Sequence, residues 1–175
     1  MLLRHRGFPS ARGEEPAAMI RVGTCGYSYP DWKGPFYPAA IRPNQLLEYY
    51  ARTFTAVEVD STYYRVPPPA TFRAMAARTP AGFRFCVKLP ASGTHGPAAA
   101  HGSVHADVGL LRANIAPLID SGKFAAALMQ FPNSFHPTPA AHDHIAALRD
   151  ALSDIPLVAE FRGRSRRTNL PVPTA

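Results

Sequence analysis

Glu58 and Asp60 stand two residues apart in the run Thr55-Ala56-Val57-Glu58-Val59-Asp60, and the period of two along a strand puts both carboxylates on one face. Carboxylates facing a protein interior are costly unless cations and hydrogen-bond donors meet them. Such groups close other apolar runs of the chain. Lys88 ends Phe83-Arg84-Phe85-Cys86-Val87-Lys88, Gln130 ends Ala125-Ala126-Ala127-Leu128-Met129-Gln130, and Glu160 and Arg162 end Leu157-Val158-Ala159-Glu160-Phe161-Arg162. A carboxylate placed with cations and an amide is the equipment of acid–base chemistry: Glu58 or Glu160 moves a proton while Lys88 or Arg162 holds a carbonyl or anionic oxygen. The competing structural reading is a layer of satisfied ion pairs that plugs a barrel.

The elements that must position these residues follow from the pattern. Strands are predicted to begin near residues 20, 55, 83, 124 and 157, each but the last followed by a helical stretch. Pro43 precedes the stripe Leu46, Leu47, Tyr50, Ala51 and Phe54, Phe72, Met75 and Ala76 mark a second helix, and Val108, Leu111, Ile115 and Leu118 mark a third that Pro117 kinks or restarts. Ile145, Leu148 and Leu152 mark a fourth. Repeated strand–helix alternation predicts parallel strands with right-handed crossovers, an α/β class. A doubly wound sheet covers both faces with helices and leaves Glu58 and Asp60 no polar interior. A (β/α)₈ barrel gives inward residues a shared interior and puts strand ends at the catalytic rim, and about five of its eight strand–helix units are present.

The chain has 175 residues, 46% of them hydrophobic, enough for one core. Its net charge is +7, yet residues 19–161 carry only +2; Arg162 and the three Arg of the Pro-rich tail supply most of the excess. Nucleic-acid binding through that tail and the aromatic loop Tyr27 to Tyr37 is therefore the alternative function, not the favoured one. In that loop Trp32 would stack a sugar or nucleobase, against the simpler reading of an apolar plug over the first helix. Cys25 and Cys86 lie too far apart in sequence for a metal motif or a disulfide framework, which fits a reducing cytoplasm. No segment has the length and apolarity of a membrane span or a secretory leader. The pairs His101/His105 and His142/His144 read as surface residues, and no metal is assigned. Cofactor and oligomeric state stay open. Residues 1–18 lack periodicity and are expected to be a disordered extension before Met19.

Taken together, Gly23-Thr24-Cys25-Gly26-Tyr27-Ser28, Asp31-Trp32-Lys33-Gly34, Phe36-Tyr37-Pro38, Val57 to Tyr64, Phe83 to Lys88, Thr94-His95, Gln130-Phe131-Pro132 and Glu160-Phe161-Arg162 resemble the YecE-like family, domain of unknown function 72, over residues 20–162. The resemblance implies a TIM-type barrel and a bacterial or archaeal cytoplasmic protein, and supplies fold rather than function. The candidate substrate-binding residues are Trp32, Asp60, Tyr63, Gln130 and Arg162, and the candidate catalytic residues are Glu58, Lys88 and Glu160 from the strand ends together with His95 from the Thr94-His95 match. Without that match, His95 reads as a solvated loop residue.

Two departures stand out. Asp60 takes the place of the family's usual Asn, adding a negative charge beside Glu58 that tends to raise a carboxyl pKa. After Arg162 the family continues His-x-Ser-Trp and on to three more strands, whereas this chain runs Gly163-Arg164-Ser165-Arg166-Arg167 to Ala175. The organisation expected is thus an extension at 1–18, an incomplete barrel domain at 19–162 and an irregular basic, Pro-rich tail at 163–175. The function expected is acid–base chemistry on a small polar or anionic substrate at the barrel mouth. Full turnover is not expected of this length alone, and a truncated, non-functional product is the further alternative.

Overall fold

The computed structural model describes residues 2–4, 20–95 and 101–163, with side chains at 20–95 and 106–163. Its strands are β1 (Leu2–Arg4), β2 (Ile20–Cys25), β3 (Ala56–Val59), β4 (Arg84–Lys88), β5 (Phe124–Phe131) and β6 (Leu157–Phe161). The helices are α1 (Leu46–Tyr50), α2 (Pro69–Ala77), α3 (Ala91–Thr94), α4 (His101–Asn114), α5 (Ala116–Asp120) and α6 (Pro139–Ala151). The strands lie side by side in chain order. From β2 onward each pairs parallel with the next. Strand order never reverses as it would in a doubly wound sheet, so the sheet is the curled, partial barrel expected from the alternation of strands and helices.

A sixth strand was not announced by the sequence pattern. Leu2–Arg4 pairs antiparallel with β2, Leu2 opposite Val22 and Arg4 opposite Ile20, within the segment read as a disordered extension. The remainder of 1–18, the tail from Arg164 onward, and the side chains of His101 and His105 lie outside the described residues.

Alternation sorts the parallel strands into two faces. Val57, Val59, Phe85, Val87, Ala127, Met129 and Phe131 enter the core with Leu47 and Tyr50 of α1, Phe72 of α2, Leu111 of α4 and Leu148 of α6. The opposite, concave face carries Glu58, Cys86, Lys88, Leu128 and Gln130, aligned by the registers Cys25 to Glu58, Glu58 to Cys86, Lys88 to Leu128 and Gln130 to Glu160. Helix boundaries follow proline. Pro43 opens a 3₁₀ turn to Gln45 rather than α1 itself, Pro69 is the first residue of α2, and Pro117 marks the restart that separates α5 from α4. Thr138 caps α6, its hydroxyl accepting from the Ala141 amide at 3.1 Å.

Among the described residues, no helix is long and apolar enough to cross a membrane.

Candidate functional site

β3 delivers Glu58 to the concave face with both neighbouring strands in register, and the side chain is only 5% exposed. Its one hydrogen bond among the described residues comes from the Cys25 thiol, Sγ to Oε1 at 3.3 Å. Burial raises the Glu58 carboxyl above the ordinary glutamate range. The Cys25 hydrogen bond and the Lys88 charge pull it back, and Glu160 and Asp60 push it further up. Partial desolvation of the thiol, on a residue that is otherwise exposed, together with the Glu58 charge beside it, pushes Cys25 up to about 12. Cys25 is therefore a neutral donor here and a poor nucleophile.

Lys88 ends β4 on the same face. Its Nζ donates to Gln130 Oε1 at 2.7 Å and lies 4.4 Å from the centre of the Tyr63 ring, a cation–π contact. Tyr63 is held there by its neighbour: Thr62 Oγ1 bonds the carbonyls of Val59 at 2.9 Å and Lys88 at 2.7 Å, which pins the 3₁₀ turn Ser61–Tyr63 across the ends of β3 and β4. His95, just past α3, sets its ring edge on Tyr63 with centroids 4.9 Å apart, and its Nδ1 lies 2.9 Å from Thr94 Oγ1. Burial first, then the charges of Lys88 and Arg162, hold its pKa below the ordinary histidine value. Arg162 follows β6, its amide bonding the Phe131 carbonyl at 3.3 Å. Its Nε lies 3.7 Å from Glu160 Oε1 in an open ion pair, a contact of small energy.

Glu58, Lys88, Gln130, Glu160 and Arg162 thus gather at one mouth of the sheet, with Tyr63 and His95 above Lys88. Asp60 stands at the rim, where a side chain on Gly26 would come within 3.3 Å of its Oδ1. Trp32 makes no direct contact with these residues among those described, and it neighbours them through Tyr29, whose hydroxyl bonds the Cys25 carbonyl. It packs against Tyr29, Phe36 and Tyr37 and stacks parallel to Tyr50 at 6.5 Å, which is the apolar plug rather than a stacking platform. His144 is not a surface residue as its spacing suggested; it is 5% exposed, with Nε2 2.9 Å from the Gly93 carbonyl. Cys25 is the neighbour sequence reasoning missed. The available signal was its position at the end of the first strand on the inward alternation. Among the described residues, no group of three or more His, Cys, Asp or Glu is arranged to hold a metal ion.

The Glu58 geometry has a consequence for stability. A carboxyl whose pKa is raised by folding binds its proton more tightly in the native chain than in the unfolded one. Its contribution is therefore fully present below the ordinary glutamate value and is lost as pH rises through the raised one. Glu58→Gln, neutral throughout, is expected to be the more stable form at pH 8 by on the order of 1 kcal/mol, with the difference shrinking at pH 4.5. Urea unfolding at the two pH values checks this, and a Gln variant no more stable at pH 8 contradicts it.

The sheet progression and the polar strand ends define a partial α/β barrel with its polar cluster at the C-terminal mouth. A family model described as "Protein of unknown function DUF72" matches residues 21–167, and the chain belongs to that family. A DUF72 family protein of Thermotoga maritima superimposes with TM-score 0.71 at 36% identity, over 81% of this chain and 55% of that one. A DUF72 family protein of Enterococcus faecalis shares the fold with TM-score 0.68 at 24% identity, over 85% and 54%. The UPF0759 protein YunF of Bacillus subtilis is 28% identical over 152 residues, 84% of this chain and 52% of YunF. The UPF0759 protein YecE of Escherichia coli K12 is 36% identical over 84 residues, 47% of this chain and 28% of YecE. The chain spans about half the length of YunF and of both solved structures.

Proposed function

We propose that the strand-end cluster is an acid–base site for a small polar or anionic substrate, with Glu58 moving the proton and Lys88 holding the substrate oxygen. One observation carries this reading. In a plug of ion pairs Glu58 would be met by a cation, yet its described hydrogen bond is from a thiol, while Lys88 bonds the neutral Gln130. A buried carboxyl with so weak a partner and a raised pKa holds and releases a proton closer to neutral pH, where general acid–base catalysis is most effective. His95, pushed toward its neutral form, is the second group able to accept a proton. The packing of Trp32, Phe36 and Tyr37 on one another and on Tyr50 of α1 supports this reading over the alternative of nucleic-acid binding, for which Tyr29 is the exposed aromatic of the loop.

The experiment is hydrogen exchange. The chain is incubated in deuterated water with a panel of hydroxy acids, keto acids and sugar phosphates, and deuterium uptake into each is read by mass spectrometry. Exchange requires only a held substrate and the proton-moving carboxylate, not the full turnover of a larger barrel. Uptake into at least one compound, lost in Glu58→Gln, is expected; no uptake into any, or uptake unchanged in the variant, overturns the proposal.

A further inference from the structure

We infer that Lys88, His95 and Arg162 form an oxyanion subsite that takes the carboxylate, phosphate or sulfate group of the substrate, and that His95 takes up a proton when the subsite fills. The inference rests on the acid–base reading of the same cluster and divides it in two: a proton-moving end at Glu58, to which Cys25 donates its hydrogen bond, and an anion-holding end at Lys88.

Three features of the geometry carry it. Lys88 has no carboxylate within ion-pair distance among the described residues; its contacts are Gln130 Oε1 at 2.7 Å and the Tyr63 ring at 4.4 Å. An ammonium has three donors, and Gln130 uses one of them. The amide and the ring fix the cation without neutralising it, as an anion site requires. Among the described residues, Arg162 has one ion-pair contact, the open 3.7 Å approach to Glu160, whose side chain is 47% exposed, so a ligand can displace that partner at little cost. His95 then completes one patch of positive potential, placed by its edge contact with Tyr63 at 4.9 Å and by Thr94 at its Nδ1.

The groups that face His95 determine the sign of the proton linkage. Tyr63 from the 3₁₀ turn and Thr94 from α3 are neutral. Lys88 from β4 and Arg162 from the end of β6 are cations that disfavour the imidazolium, and Glu160 offsets only part of the Arg162 charge. An anion seated among them reverses the local field and favours the protonated ring. Binding is therefore tighter at low pH, and affinity falls as pH rises, tenfold for each pKa unit by which the ligand lifts His95.

The probes are sulfate, which does not titrate near neutral pH, and acetate. Each is titrated calorimetrically into the chain at pH 6, 7 and 8 and at constant ionic strength, in two buffers of different ionisation enthalpy. Binding with proton uptake is expected, weaker at pH 8 than at pH 6. Binding of either probe supports the subsite, and their ranking separates a tetrahedral oxyanion from a carboxylate. Lys88→Met is expected to weaken binding about tenfold or more, and Lys88→Arg to restore most of it. His95→Gln is expected to bind with no proton uptake and a flat pH profile. Binding of neither probe, equal affinity in Lys88→Met, or undiminished proton uptake in His95→Gln overturns the inference. Glu58→Gln removes proton transfer but also a neighbouring negative charge, so it does not weaken sulfate. Loss of the acid–base reading and loss of the anion subsite are thus read separately.

Discussion

Gly23→Ala is expected to destabilise the chain by about 3 kcal/mol or more, an effect large for the addition of one methyl group. Gly23 lies opposite Ala56 in the β2–β3 ladder, and the two backbones approach so closely there that a Cβ would stand 2.0 Å from the Ala56 carbonyl oxygen and 2.6 Å from its carbon. No rotamer relieves a clash between a Cβ and a neighbouring main chain. β2 and β3 would have to part by about 1 Å, which breaks the ladder hydrogen bonds between them and leaves buried groups unpaired. The damage reaches the site, because Cys25 follows two residues later and its thiol is the partner of Glu58. Gly109→Ala serves as the control. It lies within α4 where a Cβ meets nothing within 4 Å, and the helix gains from losing a glycine. Urea unfolding of both variants measures the difference, and a Gly23→Ala chain within about 1 kcal/mol of the parent contradicts the close approach.

The second large effect is on chemistry. In the deuterium-exchange assay Glu58→Gln is expected to lower the rate of exchange about 10²- to 10⁴-fold, the range that a positioned general base supplies. Gln matches the shape of Glu and keeps an oxygen that can accept the Cys25 hydrogen bond, so the fold and the oxyanion end survive while the proton acceptor is removed. On the stability argument the variant is also more robust than the parent at pH 8. A slower and more stable protein is the signature of a group kept for function at a cost to the fold, and it separates loss of chemistry from loss of structure.

Much of this was legible in the sequence because strand periodicity is a local signal. Val57, Glu58 and Val59 assign the inward face of β3 without knowledge of any other strand, and the same rule places Lys88, Gln130 and Glu160 at strand ends. Choosing a barrel over a doubly wound sheet needed only the recognition that a helix-covered face has no room for Glu58. The pairing among these residues was not legible, since it depends on lateral register. Lys88 could have met Glu58 and instead meets Gln130; Cys25 reaches Glu58 because β2 aligns the two. Long-range burial was equally hidden. His144 is covered because a carbonyl 51 residues earlier in the chain, on Gly93, stands at its Nε2. Lys123, 8% exposed, gives its ammonium to the carbonyls of Ala76 and Thr79 at the end of α2, a helix cap supplied from 44 residues away. Trp32 stayed ambiguous for a related reason: an aromatic loop reads alike whether it faces solvent or Tyr50, and only the 9° stacking on that ring decides. Leu2–Arg4 carries too few residues for periodicity to register as a strand.

Glu58 is a buried carboxyl with no cation in contact among the described residues, poised to hold and pass a proton. Carbon-13 NMR titration of glutamate-labelled chain tests it most directly, with Glu58→Gln identifying the resonance that belongs to that residue. The assigned carboxyl is expected to titrate clearly above the ordinary glutamate range of about 4.3, and Lys88→Met is expected to move the midpoint further up, since the Lys88 charge pulls it down. A Glu58 midpoint at or below the ordinary value would show a carboxylate already satisfied by its surroundings, and the acid–base site would give way to a structural plug.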